Sequence, residues 1–141
     1  MTQAIVVVGA ATLTCLGRDL ASTWSGLIAG RSGIRRHASL DPQLFMQDIA
    51  GLVSDPPVDP FADDANLSRL PARSIHLAVS AARDAWTDAG LKRADPRLDP
   101  ARVAVVLGSA LGGVDMLEAE SQRLAKRKSL SVSPYLIPGL I

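Results

Sequence analysis

The sequence predicts an α/β layered fold. Three observations carry this: two short, Val-rich runs read as buried strands, amphipathic helical stretches lie between and after them, and strand and helix alternate along the chain. Hydrophobic residues make up 48% and charged residues 21%, which provides for a packed core and excludes wholesale disorder.

The first run, Ala4–Ala10, is continuously apolar, the pattern of a parallel strand covered on both faces. Asp19 can cap a helix whose apolar positions are Leu20, Trp24, Leu27 and Ile28, and Gly30 can end it. A polar turn, Gly30-Arg31-Ser32-Gly33, leads into an irregular stretch to Gln47, and Ile49–Val53 reads as a short second strand. Asp55–Pro71 carries four prolines and reads as a long solvated loop. Its acids lack the alternating ligands, glycine turn and distal Glu of a calcium loop.

Ala72–Ala89 is the clearest helix. Ile75, Ala78, Val79, Ala82, Ala85 and Ala89 share one face, and the alanines allow a close approach to a neighbouring element. Gly90 ends it. Val103–Leu107 is the second strand with an apolar pattern on both faces. Gly108-Ser109-Ala110-Leu111-Gly112-Gly113 then makes a glycine-rich turn into a helix, Val114–Lys128, with acids early and bases late, as the helix dipole favours. Trp24 and Trp86 are expected in the core.

Charge and motifs exclude several functions. The chain holds 15 Lys+Arg against 14 Asp+Glu, so it offers no electrostatic case for nucleic acid. No apolar run is long enough to span a bilayer, and no cationic segment precedes the first one, so the expected compartment is the cytoplasm. The glycine turn at Gly108 has the form Gly-x-Ala-x-Gly-Gly. No acid lies about 20 residues on to hold a ribose, which argues against a dinucleotide site. No Gly-Lys-Ser/Thr is present to cradle a triphosphate.

One cysteine, Cys15, excludes an internal disulfide framework. It has no histidine near it in sequence, so an inert, packed thiol is the reading here. With only His37 and His76 beside it, no metal site and no cofactor are expected. Arg31, Arg35 and Arg36 form a small basic cluster, read as a solvated loop that could meet an acidic carrier protein.

The order of these motifs along the chain resembles the N-terminal portion of the β-ketoacyl-acyl carrier protein synthases, condensing enzymes of the thiolase superfamily. The residues that carry it are Ile5–Gly9 with Leu16-Gly17, then Trp24 and Leu27–Ile34, then Ile49-Ala50-Gly51. Leu77–Gly90, Val105–Ser109 with Leu111-Gly112-Gly113, and Ser133–Pro138 complete the set. The resemblance implies a thiolase-like fold, layered α/β/α/β/α, with only the larger part of its first half in residues 1–141. It also implies decarboxylative condensation of an acyl thioester with malonyl-carrier, in fatty-acid or polyketide synthesis, by a cysteine and two histidines. The resemblance puts those three beyond residue 141, so Cys15, His37 and His76 do not take their roles, no residue here is catalytic, and the chain alone is expected to be inactive.

By resemblance, Leu111 and Leu136 line the acyl pocket, and Tyr135 and Leu136 lie at a dimer interface. The implied partners are an acyl carrier protein and a second synthase-like chain, as homodimer or heterodimer. A non-catalytic or split subunit that pairs with another synthase-like chain is the alternative. The apolar ending Leu140-Ile141 is then expected as the mark of a fold cut before its catalytic cysteine. Val8, Cys15 and Leu70-Pro71 stand where the family usually has Thr, Pro and Met-Asp, the signs of a divergent member.

Overall fold

The computed structural model describes residues 4–44, 46–54, 72–127 and 132–140. Among the described residues four α-helices are formed, α1 (Leu20–Ile28), α2 (Arg73–Asp88), α3 (Val114–Arg127) and α4 (Leu136–Leu140), with a 3-10 turn at Pro100–Arg102. A two-stranded antiparallel ribbon joins β1 (Arg35–Arg36) to β2 (Ile49–Ala50), with Arg35 opposite Ala50 and Arg36 opposite Ile49. The loop expected over Asp55–Pro71, with its acids, lies outside the described residues.

The helix starts and stops follow local chemistry. The Asp19 side chain accepts from the Ser22 backbone N–H at 2.7 Å, and Ser22 Oγ accepts from the Asp19 N–H at 3.4 Å, so α1 opens on a capping box. The carboxylate of Asp19 is held below its ordinary pKa, first by that Ser22 N–H and then by the Ser22 hydroxyl. Gly30 and Gly90 adopt φ of +63° and +64°, the left-handed conformation that ends α1 and α2.

The two apolar runs depart from expectation. Residues 4–8 and 103–107 are not in any ladder among the described residues, and they are exposed, with Ile5 at 101% and Val106 at 95%. A parallel strand satisfies its N–H and C=O groups only through flanking strands about 4.8 Å away. No described segment comes alongside either run in that way. The first run is anchored at its end. A side chain at Gly9 would overlap the Ala85 carbonyl and Ala89, and the Ala10 N–H donates to Asp88 Oδ2 at 2.9 Å. The alanine face of α2 thus makes the close approach its composition predicts, against one glycine.

Trp24 is also displaced from the expected core, at 62% exposure. Helix α1 turns inward its small face instead. Thr23 and Gly26 are buried, and Gly26 packs on the Leu16 side chain. Trp86 lies at the surface margin and donates Nε1–H to the Lys92 carbonyl at 3.0 Å. The strand expected at Ile49–Val53 forms over Ile49-Ala50, and its partner Arg35-Arg36 lies in the stretch read as irregular. The ribbon is braced by Arg36 on Asp48 at 2.8 Å and by His37, whose Nε2 lies 3.0 Å from the Ala50 carbonyl.

After α2 the chain is locked by one buried acid. Asp95 accepts from the backbone N–H groups of Lys92 and Arg97 at 3.0 Å each, and from Arg97 Nε and Nη2 at 2.8 and 2.7 Å. Arg97 Nη2 also donates to the Gly90 carbonyl at 2.7 Å, tying the loop back to the end of α2. The Arg97 side chain, and then the two N–H groups, hold the Asp95 carboxyl far below its ordinary 3.8. The preceding Ala94 is the non-glycine residue with φ in the left-handed region among the described residues, at 53°.

Two outcomes follow from this loop. Ala94→Gly removes the steric cost of the left-handed conformation, and a gain of about 1 kcal/mol is expected in urea unfolding. The pH dependence has a fixed sign. The unfolded chain takes up a proton near 3.8 while native Asp95 stays ionised, so its contribution is complete above that value and is lost as pH falls below it. Urea midpoints of the wild type should therefore drop between pH 5 and pH 3, and Asp95→Asn should flatten that drop while lowering the midpoint at pH 5.

Candidate functional site

The glycine-rich turn is where distant parts of the chain converge. The turn at residues 108–113 enters α3, beside the first turn of α2, and α4 packs against α3. Two hydrogen bonds join the helix starts. Asp115 Oδ2 accepts from the Arg73 backbone N–H at 3.0 Å, and Ser74 Oγ accepts from the Gly113 N–H at 3.2 Å. Asp115 Oδ1 also accepts from the Met116 N–H at 3.0 Å. One carboxylate so serves the N–H groups of two helix starts, where the helix dipoles favour negative charge. The Arg73 side chain reaches the Val53 carbonyl and draws in the segment after β2.

The packing there is backbone against backbone. Gly113 has φ of +58°, and a Cβ on it would overlap the Gly139 carbonyl. A Cβ on Gly139 would overlap Met116 Sδ. Ala72 and Met116 are the buried apolar residues of the described chain, at 0% and 5% exposure, and both belong to this junction. Gly112, Gly113 and Gly139 are buried with them.

A cavity of about 270 Å³ opens beside the junction, lined by Ile75, Ala78, Val79 and Leu107, with Ser74 and Ser109 among its polar atoms. Its walls are mostly apolar with few hydroxyls, a composition suited to an apolar ligand. The sequence-predicted site residues lie around it, not in its wall. Leu111, on the turn itself, is 78% exposed, and Leu136, the first residue of α4, is half-buried. Tyr135 is exposed just before α4. The lining residues on α2 carried no mark in the sequence beyond their helical spacing.

The segment bearing Tyr135 and Leu136 is positioned by Glu120 of α3. Its Oε2 accepts from the Ser133 N–H at 3.1 Å and from Arg123 Nη2 at 2.6 Å. The Arg123 side chain first, and the Ser133 N–H second, hold the Glu120 carboxyl below its ordinary value. Ser133 then starts the turn, with its carbonyl accepting from Leu136 N–H at 3.1 Å and its Oγ from Tyr135 N–H at 3.3 Å.

Residues 2–141 match the family described as beta-ketoacyl synthase, N-terminal domain. The chain belongs to the β-ketoacyl synthase family. Membership implies the thiolase-like fold. Among similar proteins is a 3-oxoacyl-[acyl-carrier-protein] synthase 2 from Vibrio harveyi, 33% identical over 141 residues, covering 97% of this chain and 32% of the relative. The protein of the same name from Coxiella burnetii is 31% identical over 138 residues, with the same coverage. That from Staphylococcus aureus strain N315 is 29% identical over 137 residues. The chain spans about a third of the length of these curated relatives.

The other polar candidates of the chain hold structural posts. Cys15 is half-buried, with Sγ packed against Gly33 and Gly51. His37 bridges to β2. His76 is half-buried on α2. No group of three or more His, Cys, Asp or Glu among the described residues could hold a metal ion, and no described helix is long and apolar enough to cross a membrane.

The glycines of the turn should separate sharply in mutagenesis. Gly113→Ala meets both the left-handed backbone and the Gly139 carbonyl, so a loss of about 2–4 kcal/mol is expected. A Cβ at Gly112 meets nothing nearer than 3.4 Å, and Gly112→Ala should stay within about 1 kcal/mol of wild type. Urea unfolding of both variants checks the contrast.

Proposed function

We propose that this chain is the N-terminal part of a β-ketoacyl-acyl carrier protein synthase, acting in fatty-acid or polyketide synthesis. The observation that carries the reading is the family match along residues 2–141, together with relatives of which the chain covers only 32%. Residues 1–141 then form a partial N-terminal domain, the larger part of the first half of the layered fold.

The reaction joins an acyl thioester to malonyl-carrier. A cysteine thiolate takes the acyl group from its carrier, releasing the carrier thiol. Loss of CO₂ from malonyl-carrier leaves a carbanion or enolate, which attacks the acyl-cysteine carbonyl and expels the thiolate. Hydrogen-bond donors are needed where the thioester oxygen gains negative charge. The cysteine and two histidines that do this belong to the part of the family's sequence that this chain does not span, and the chain alone is inactive in this reading. It works in the cytoplasm with an acyl carrier protein, as a dimer.

Within that protein, Leu111 and Leu136 line the acyl pocket, and Tyr135 and Leu136 contribute to the subunit contact. The exposure of Leu111 on the turn supports the first of these roles, since a pocket wall must face the ligand. A second reading, a non-catalytic or split subunit paired with another synthase-like chain, is favoured by one feature. Residues 4–8 and 103–107 present apolar side chains and open backbone edges, which seek a partner.

The test compares the protein from the gene's whole reading frame with the 141-residue chain, each given acyl- and malonyl-carrier. The 3-oxoacyl product is expected from the former when its frame continues into the catalytic residues, and none from the 141-residue chain. Product from the 141-residue chain alone overturns the reading. Copurification of a second synthase-like chain would favour the split-subunit form, and a stable, soluble monomer would count against it. In an active protein, Leu111→Trp should lower kcat/KM for long acyl chains about tenfold relative to short ones, a difference of about 1.4 kcal/mol.

A further inference from the structure

We draw no further inference here: the strongest candidate, the groove between α1 and α2 walled by Ala10, Ala11, Leu20, Ala21 and Trp24 with Asp19, Asp84 and Asp88 among its lining residues, carries nothing, because Asp19 and Asp88 already serve the chain's own N–H groups and nothing in the structure shows what covers the rest.

Discussion

The carbonyl of Gly139 occupies the place where a side chain on Gly113 would stand, and Met116 fills the space a side chain on Gly139 would need. This contact decides how the turn, α3 and α4 can sit together. It needs glycine at two positions far apart in sequence, one of them with a left-handed backbone. Once the backbones approach this closely, Asp115 and Ser74 can bridge the starts of α2 and α3, and the cavity beside the turn takes its shape from those fixed walls. The apolar residues with the least exposure, Ala72 and Met116, lie at this point and nowhere else in the described chain. Packing density, rather than large buried side chains, holds the junction.

Elsewhere the chain presents the opposite condition. Val-rich runs at 4–8 and 103–107 have the composition of central strands, yet their side chains face solvent. A helix closes its hydrogen bonds within its own sequence, so α1, α2 and α3 form from local instructions. A parallel strand closes them only with strands brought from elsewhere by crossover connections. The helices form, and the two Val-rich runs join no ladder among the described residues. The open strand edges and the exposed stripe of Leu20, Trp24, Leu27 and Ile28 belong together as surfaces whose composition is that of an interior.

What could be read in the sequence divides along the same line. Asp19, Gly30 and Gly90 announced helix ends because capping and left-handed glycine act within a few residues. The glycine turn was legible as a turn, and its ordered company of motifs as a family. Of the β-ribbon, the strand at Ile49-Ala50 was legible and its partner was not, since Arg35-Arg36 lacks any alternation of apolar and polar residues and pairs across a loop. In the sequence Asp95 is one acid before Pro96 in a polar connection, and its four donors become visible when Arg97 folds back over the loop. The walls of the cavity were hidden for a similar reason. Ser74, Ala78 and Val79 come to wall a cavity where the Gly113 N–H on Ser74 and the Arg73 N–H on Asp115 hold the turn against α2.

Cys15 shows how a departure from a family's usual residue can be structural. Its Sγ lies against Gly33 and Gly51, which flank the β-ribbon in sequence, and a Cβ on Gly51 would come within 3.1 Å of it. The two glycines leave the room that the thiol fills, so the residue after the first turn and the ends of the ribbon form one packing unit. A nucleophile needs the reverse arrangement, an open face and a base or positive dipole aimed at the sulfur. The chain spends its single cysteine on closing a gap. Its place in the family rests on the match along residues 2–141, which takes in the glycine turn and the helices around it.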